Sequence, residues 1–178
     1  MSLAFVESLD VGAVRLVAGA VGRYPRFDRL VAAAADHVAK GHVFLLGLLF
    51  LGGAGEPGWR RRGLAIRIAT ALGLTVAAVG ILGQLVSRTR PFARHDGVAA
   101  LVAHASHRSF PSRHVACAAT MATVARPTAP LLGTIFGALG AVLAVCRVYA
   151  GLHYPSDVVG GWLVGTTIGG GVRWGWPA

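Results

Sequence analysis

Three short stretches of this 178-residue sequence hold side chains able to do chemistry on an anion. The densest is Arg147-Val-Tyr-Ala-Gly-Leu-His153-Tyr-Pro-Ser-Asp157, which sets an arginine, a histidine and an aspartate between two apolar segments. Ionisable groups are costly at membrane depth and are kept there for function. Pro155 suits a first helical position, so a helix is predicted to begin near Tyr154 to Ser156. Asp157 then lies in its first turn, within reach of the His153 imidazole. An imidazole oriented by a carboxylate is a base or a nucleophile, and Arg147 beside it is an anion clamp.

The second stretch is Ser109-Phe110-Pro111-Ser112-Arg113-His114. Proline and serine opening a helix leave free N–H groups and the positive end of the dipole as an anion site, to which Ser112 adds a hydroxyl. The third, Arg88-Thr89-Arg90-Pro91-Phe92, closes an apolar run with two guanidinium groups. Each has a plainer reading on its own. Arg88 and Arg90 can snorkel at a helix end, Ser112 can be only a cap, His114 a hydrogen-bonded core residue and Asp157 a helix-dipole partner. Their recurrence at successive helix ends on one side favours a shared site.

The elements that must position these groups are apolar. Hydrophobic residues make up 54% of the chain and charged residues 13%, with a mean hydropathy of +0.62. A soluble protein carries about a quarter charged residues, whereas a bundle of membrane helices must be apolar on its lipid face as well. The expected fold class is an all-α, polytopic integral membrane helix bundle. Five spans are predicted, within Phe27–Phe50, Leu64–Val86, Ser112–Ala125, Ala129–Val145 and Val158–Val172. A sixth helix, Leu3–Ala20, is only weakly apolar and either spans or lies in the interface. Gly52–Gly63 reads as a turn-rich loop holding Trp59 and Arg60-Arg61-Arg62, and Ser87–Arg113 as a long polar connection.

The whole, 1–178, reads as one domain, with an N-terminal helix in 1–22 and a motif-bearing core in 64–172. The first residues lack the basic and long apolar regions of a cleaved signal peptide. Because no site requires Arg60 to Arg62, the positive-inside rule puts them in the cytoplasm and the three polar stretches on the external face. Net charge is +10, and Lys40 is the single lysine. With a membrane composition this sets nucleic acid aside and leaves anionic lipid or a phosphorylated substrate, which arginine grips bidentately. Cys117 and Cys146 stand in apolar runs without metal-ligand spacing and read as core residues.

Together, Arg90-Pro91, Pro111-Ser112-x-His114 and Arg147-x5-His153-x3-Asp157 resemble the signature motifs of the type 2 phosphatidic acid phosphatase superfamily, over roughly Leu64 to Val172. The Arg-Pro-Phe, His-Ala, Ser-Phe-Pro-Ser-x-His and His-Tyr-Pro-x-Asp-Val forms are most similar to bacterial undecaprenyl-diphosphate phosphatases of the bacitracin-resistance type. The resemblance implies a haloperoxidase-like helix bundle in which His153 attacks phosphorus to give a phosphohistidine, oriented by Asp157. It further implies His114 as the acid for the leaving group, with Arg90, Arg147 and Ser112 on the phosphoryl oxygens. Arg88 and Arg113 are added as further phosphate contacts.

Phosphoryl transfer depends mainly on positioning and on charge stabilisation at the equatorial oxygens. With no acidic cluster on this face to hold Mg²⁺, a mechanism without metal or cofactor is expected. Three positions depart from the family pattern: Gly83 where a lysine is usual, Arg113 where a glycine is usual, and Cys146 for a serine. Arg88 is a candidate to replace the charge missing at Gly83.

The expected protein is a multi-pass phosphatase of the bacterial plasma membrane, its site facing the external or periplasmic side. Its expected substrate is undecaprenyl diphosphate, cleaved to the monophosphate and inorganic phosphate, which recycles the cell-wall carrier and confers bacitracin tolerance. Phosphatidylglycerol phosphate, phosphatidic acid and a prenyl-linked sugar phosphate are alternative substrates. A non-catalytic anion- or lipid-binding membrane protein is a reading of another class, and a vanadate haloperoxidase is disfavoured by the composition. The partners implied are lipid phosphates and membrane lipids, not nucleic acid.

Overall fold

A computed structural model of the chain describes residues 3–51 and 58–176. Seven helices follow one another: α1 (Leu3–Ala18), α2 (Pro25–Leu51), α3 (Gly58–Val86), α4 (Pro91–Arg94), α5 (Arg113–Ala125), α6 (Pro130–Tyr149) and α7 (Pro155–Gly175). No strand occurs among the described residues. Prolines open α2, α4, α6 and α7, as their fixed φ and missing N–H allow at a first helical position.

One expectation is corrected at the start of α3. Trp59 and Arg60 to Arg62 belong to its first turns rather than to a loop. Arginine is a good helix former, and a single glycine at position 63 costs only about 1 kcal/mol, too little to stop a long helix. The remainder of that expected loop, 52–57, lies outside the described residues.

At the centre, α5 packs against α3, α6 and α7. It runs parallel to α7, and the reason lies in a glycine stripe on α7. A Cβ at Gly161 would stand 2.5 Å from the Ser112 carbonyl oxygen, one at Gly165 2.1 Å from that of Ala116, and one at Gly169 3.1 Å from that of Thr120. In lipid there is no hydrophobic drive between helices, so contact of this closeness is a main source of association. The Thr75 and Thr120 hydroxyls meet at 2.8 Å between α3 and α5 and add a buried polar tie. Parallel α5 and α7 bring their two N-termini, and with them two positive dipole ends, to the same end of the bundle.

Helix α1 crosses that end rather than running alongside the others. Glu7 accepts from Arg94 at 2.6 Å, Asp10 from Arg88 at 2.7 Å, and Val14 packs on Val98 and Tyr154. Its other face exposes Phe5, Leu9 and Leu16. Two stretches among the described residues, Gly58–Arg94 and Pro130–Tyr149, are long and apolar enough to cross a membrane. The five or six spans expected are not all recovered on that criterion. At 13 residues, α5 reaches only about 20 Å against the roughly 30 Å of hydrocarbon. Leu48, Leu74, Ile81, Val142, Val145 and Leu163 form part of a large exposed apolar surface on α2, α3, α6 and α7, of the kind a lipid environment covers.

Candidate active site

The site is built where α6 ends and α7 begins. After Ala150 the chain reverses at Gly151, whose φ of +69° suits glycine, and a Cβ there would lie 2.6 Å from the Ala99 carbonyl oxygen. The amides of Leu152 and His153 then donate back to the Arg147 carbonyl at 3.1 and 3.3 Å. His153 is thereby pinned to the last turn of α6. Asp157 caps α7 by accepting the Tyr154 amide at 2.8 Å, as a carboxylate in a first turn does.

The imidazole is oriented from both sides. Nδ1 of His153 lies 2.8 Å from the Ser109 carbonyl oxygen, and Nε2 lies 2.9 Å from Nη1 of Arg90. A carbonyl only accepts and a guanidinium only donates, so the network assigns the proton to Nδ1 and the lone pair to Nε2. Asp157 stands farther off, its Oδ2 3.7 Å from Nδ1. The Ser109 hydroxyl donates to that same carboxylate oxygen. Ser109 therefore links the carboxylate to the imidazole, a part that the spacing of the third motif alone does not announce. Burial lowers the His153 pKa, and Arg90 and Arg147 lower it further against the raising effect of Asp157. The ring is held in the neutral, nucleophilic form.

Cationic groups gather around Nε2. Arg90 is 5% exposed, donates to the Leu152 carbonyl at 2.7 Å, and has its pKa lowered by burial to about 10, so it stays charged near neutrality. Among the described residues, Nε of Arg90, Nε of Arg147 and Oγ of Ser112 are buried without a hydrogen-bond partner. Unsatisfied buried polar groups are rare in folded proteins, and three in one site match the needs of a tetrahedral oxyanion. Ser112 is the N-cap residue of α5, yet its hydroxyl makes no cap bond. Its amide instead donates to the Asp157 carbonyl at 2.9 Å, tying the heads of α5 and α7 together.

A cavity of about 330 Å³ opens here, lined by His153, Arg90, His114, Arg113, Arg108 and His104 among others. Burial, then Arg90 and Arg147, lower the His104 pKa to about 4, so it is a neutral donor or acceptor there. A second cavity of about 370 Å³, walled by Leu46, Leu72 and Met121, shares Val76, Arg113 and His114 with the first. A cationic chamber thus adjoins an apolar one.

Of the residues singled out in the sequence, His153, His114, Arg90 and Arg113 line the chamber, while Arg147, Ser112 and Asp157 stand behind it. Arg88, expected among the phosphate contacts, is instead held by two carboxylates, Asp10 at 2.7 Å and Asp157 at 2.7 Å. It does not line the chamber. At Gly83, which does, the nearest side-chain atom to a would-be Cβ is Cβ of Arg108, at 3.8 Å. Among the described residues no group of three or more His, Cys, Asp or Glu is placed to hold a metal ion.

Comparison with known proteins gives the site a context. The family model described as the PAP2 superfamily matches residues 64–177. An undecaprenyl-diphosphatase of Sulfolobus acidocaldarius is 30% identical over 110 residues, 61% of this chain and 53% of the relative. A decaprenylphosphoryl-5-phosphoribose phosphatase of Mycobacterium tuberculosis is 35% identical over 144 residues, 78% of this chain and 75% of the relative. The crystal structure of a transmembrane PAP2-type phosphatidylglycerolphosphate phosphatase from Bacillus subtilis superposes with a TM-score of 0.73 at 26% identity, covering 97% of this chain and 86% of that one. The chain spans about half the length, 53%, of curated undecaprenyl-diphosphatase relatives that it matches.

Proposed function

The chain belongs to the PAP2 superfamily, and on that premise we propose that it is a membrane lipid phosphatase acting on undecaprenyl diphosphate. The observation that carries this reading is the unprotonated Nε2 of His153: the Ser109 carbonyl keeps the ring proton on Nδ1, and the Nε2 lone pair accepts from Arg90, a guanidinium that a phosphoryl oxygen can draw away. Nε2 attacks the terminal phosphorus and forms an N–P bond. The P–O bond to undecaprenyl phosphate breaks as His114, which takes up a proton when the anionic diphosphate binds among the arginines, gives that proton to the leaving oxygen. Water then attacks the phosphohistidine, His114 takes the water proton, and the N–P bond breaks to release inorganic phosphate. Asp157 and Ser109 hold the imidazole, while Arg90 and Arg147 neutralise the phosphoryl oxygens and the Ser112 hydroxyl donates to one of them.

A diphosphate is favoured by the additional cations Arg113 and Arg108 on the chamber wall, each able to grip phosphate oxygens. A lipid is favoured by the apolar cavity that continues from it. The exposed apolar surface and the amphipathic α1 support a membrane-embedded helix bundle with α1 in the interface, its site on the external side of a bacterial plasma membrane. A prenyl-linked sugar phosphate is the second reading, since the mycobacterial relative is matched over three quarters, 75%, of its length.

The test is phosphate release by purified protein in detergent from undecaprenyl diphosphate, a prenylphosphoryl sugar phosphate, phosphatidylglycerol phosphate and phosphatidic acid. The proposal expects the highest kcat/KM on the diphosphate and none with His153→Ala. Preference for the sugar phosphate would replace the substrate, and full turnover by His153→Ala would remove the mechanism.

A further inference from the structure

Helix α1 precedes the stretch that matches the family, yet it places a carboxylate against the catalytic end of the bundle. Asp10 is 2% exposed, in an otherwise largely apolar helix. A buried acid of this kind is tolerated only when fully partnered. Its Oδ1 accepts the Ser156 amide at 2.9 Å, and its Oδ2 accepts the Ser156 hydroxyl and, at 2.7 Å, Nη2 of Arg88. Nη1 of Arg88 donates to Oδ1 of Asp157 at 2.7 Å and to the Ser156 hydroxyl at 2.8 Å. Cζ of Arg88 also lies over the Tyr154 ring, 3.9 Å from its centroid. The chain of contacts is continuous: Asp10, Arg88, Asp157, Ser109, His153.

We infer that Asp10 is a positioning residue of the phosphatase site, acting through Arg88 to fix the place and effective charge of Asp157. The inference rests on His153 being the nucleophile. Without Asp10, the single cation Arg88 would be drawn wholly onto Asp157 and would draw it away from Ser109. With Asp10 present, one guanidinium is shared between two buried carboxylates, and Asp157 keeps negative charge to spend on the Ser109 hydroxyl and the His153 imidazole. The other charged and titratable groups around this network are Arg90, His104, Arg113, His114 and Arg147 on the chamber side, and Tyr154, His95, Arg94, Arg15 and Glu7 on the side of α1. Of the two carboxylates that α1 brings here, Glu7 meets Arg94 and Asp10 is the one set against Arg88.

Two variants separate this role from a merely structural one. Asp10→Asn leaves the Arg88 charge less compensated, which disfavours imidazolium at His153. Its kcat should fall about 10- to 100-fold, and the acid limb of its kcat/KM profile should move to lower pH. Arg88→Gln removes the cation and leaves two carboxylates facing one another, so its kcat also falls but its acid limb moves to higher pH, each shift being about half a unit or more. Thermal unfolding in detergent reports folding alongside. Opposite displacements of the limb support the inference. Variants that lose only thermal stability and keep the wild-type limb overturn it. Should Asp10→Asn fail to fold, Arg88→Gln alone decides by whether its limb rises. A wild-type protein with no phosphatase activity, or an active His153→Ala, would instead remove the underlying reading.

Discussion

Ser109 stands between His153 and Asp157: its carbonyl accepts from Nδ1 of the imidazole at 2.8 Å, and its hydroxyl donates to the carboxylate. The direct separation of the ring nitrogen and the carboxylate is 3.7 Å, beyond hydrogen-bond reach. A residue from the connection before α5 therefore completes a pairing whose two members lie four apart at the head of α7.

Ser109→Ala keeps the carbonyl and removes the hydroxyl. Asp157 then loses one of its donors while the same oxygen keeps the Tyr154 amide, at a cost of about 1.5–3 kcal/mol for a hydrogen bond to a charged group. In the proposed mechanism this carboxylate supports the nucleophile, so kcat should fall about tenfold, the equivalent of about 1.4 kcal/mol, with KM little changed. Steady-state phosphate release checks it, and an unchanged kcat would show that Asp157 reaches His153 without the serine.

His153→Ala should lower turnover at least about a thousandfold, as loss of a nucleophile does, without a large change in thermal stability. Substrate labelled in its terminal phosphate and quenched in alkali should leave label on the wild type and none on the variant. Label retained by the variant would move the nucleophile elsewhere.

The pH profile follows from the state of the same ring. The proposed attack by His153 needs neutral imidazole, and burial with Arg90 and Arg147 lowers its pKa. The neutral form thus persists to more acid solution, and activity is lost as pH falls through a value below the ordinary histidine pKa of about 6.5. An acid limb of kcat/KM at or above that value would contradict the buried, cation-flanked setting.

The parallel contact of α5 and α7 gives a prediction about stability. A methyl group at Gly165 would meet the Ala116 carbonyl at 2.1 Å, whereas one at Gly171 would meet nothing within 4 Å. Gly165→Ala should lose about 1–3 kcal/mol by overpacking, lowering Tm by about 3–10 °C for a chain of this size. Gly171→Ala should keep the wild-type Tm. Thermal unfolding followed by tryptophan fluorescence compares the two.

Much of this protein is written locally. Runs of apolar residues bounded by Pro25, Pro130 and Pro155 mark where helices start, because proline fits a first turn and nowhere deeper. The spacing of His153 and Asp157, and of Ser112 and His114, puts reactive groups at helix heads, a consequence of helical geometry alone. The start of α3 at Gly58 was not legible, since glycine and arginine near a helix end suit both loop and helix. What only the tertiary structure decided is who meets whom. Asp10 reaches Ser156 and Arg88, Ser109 enters between Asp157 and His153, and Arg88 turns from the chamber to two carboxylates. No periodicity encodes these contacts, because they depend on how one long connection and one crossing helix fold over the bundle. A buried charge takes whichever partner that folding brings within reach, and sequence spacing carries no record of the choice.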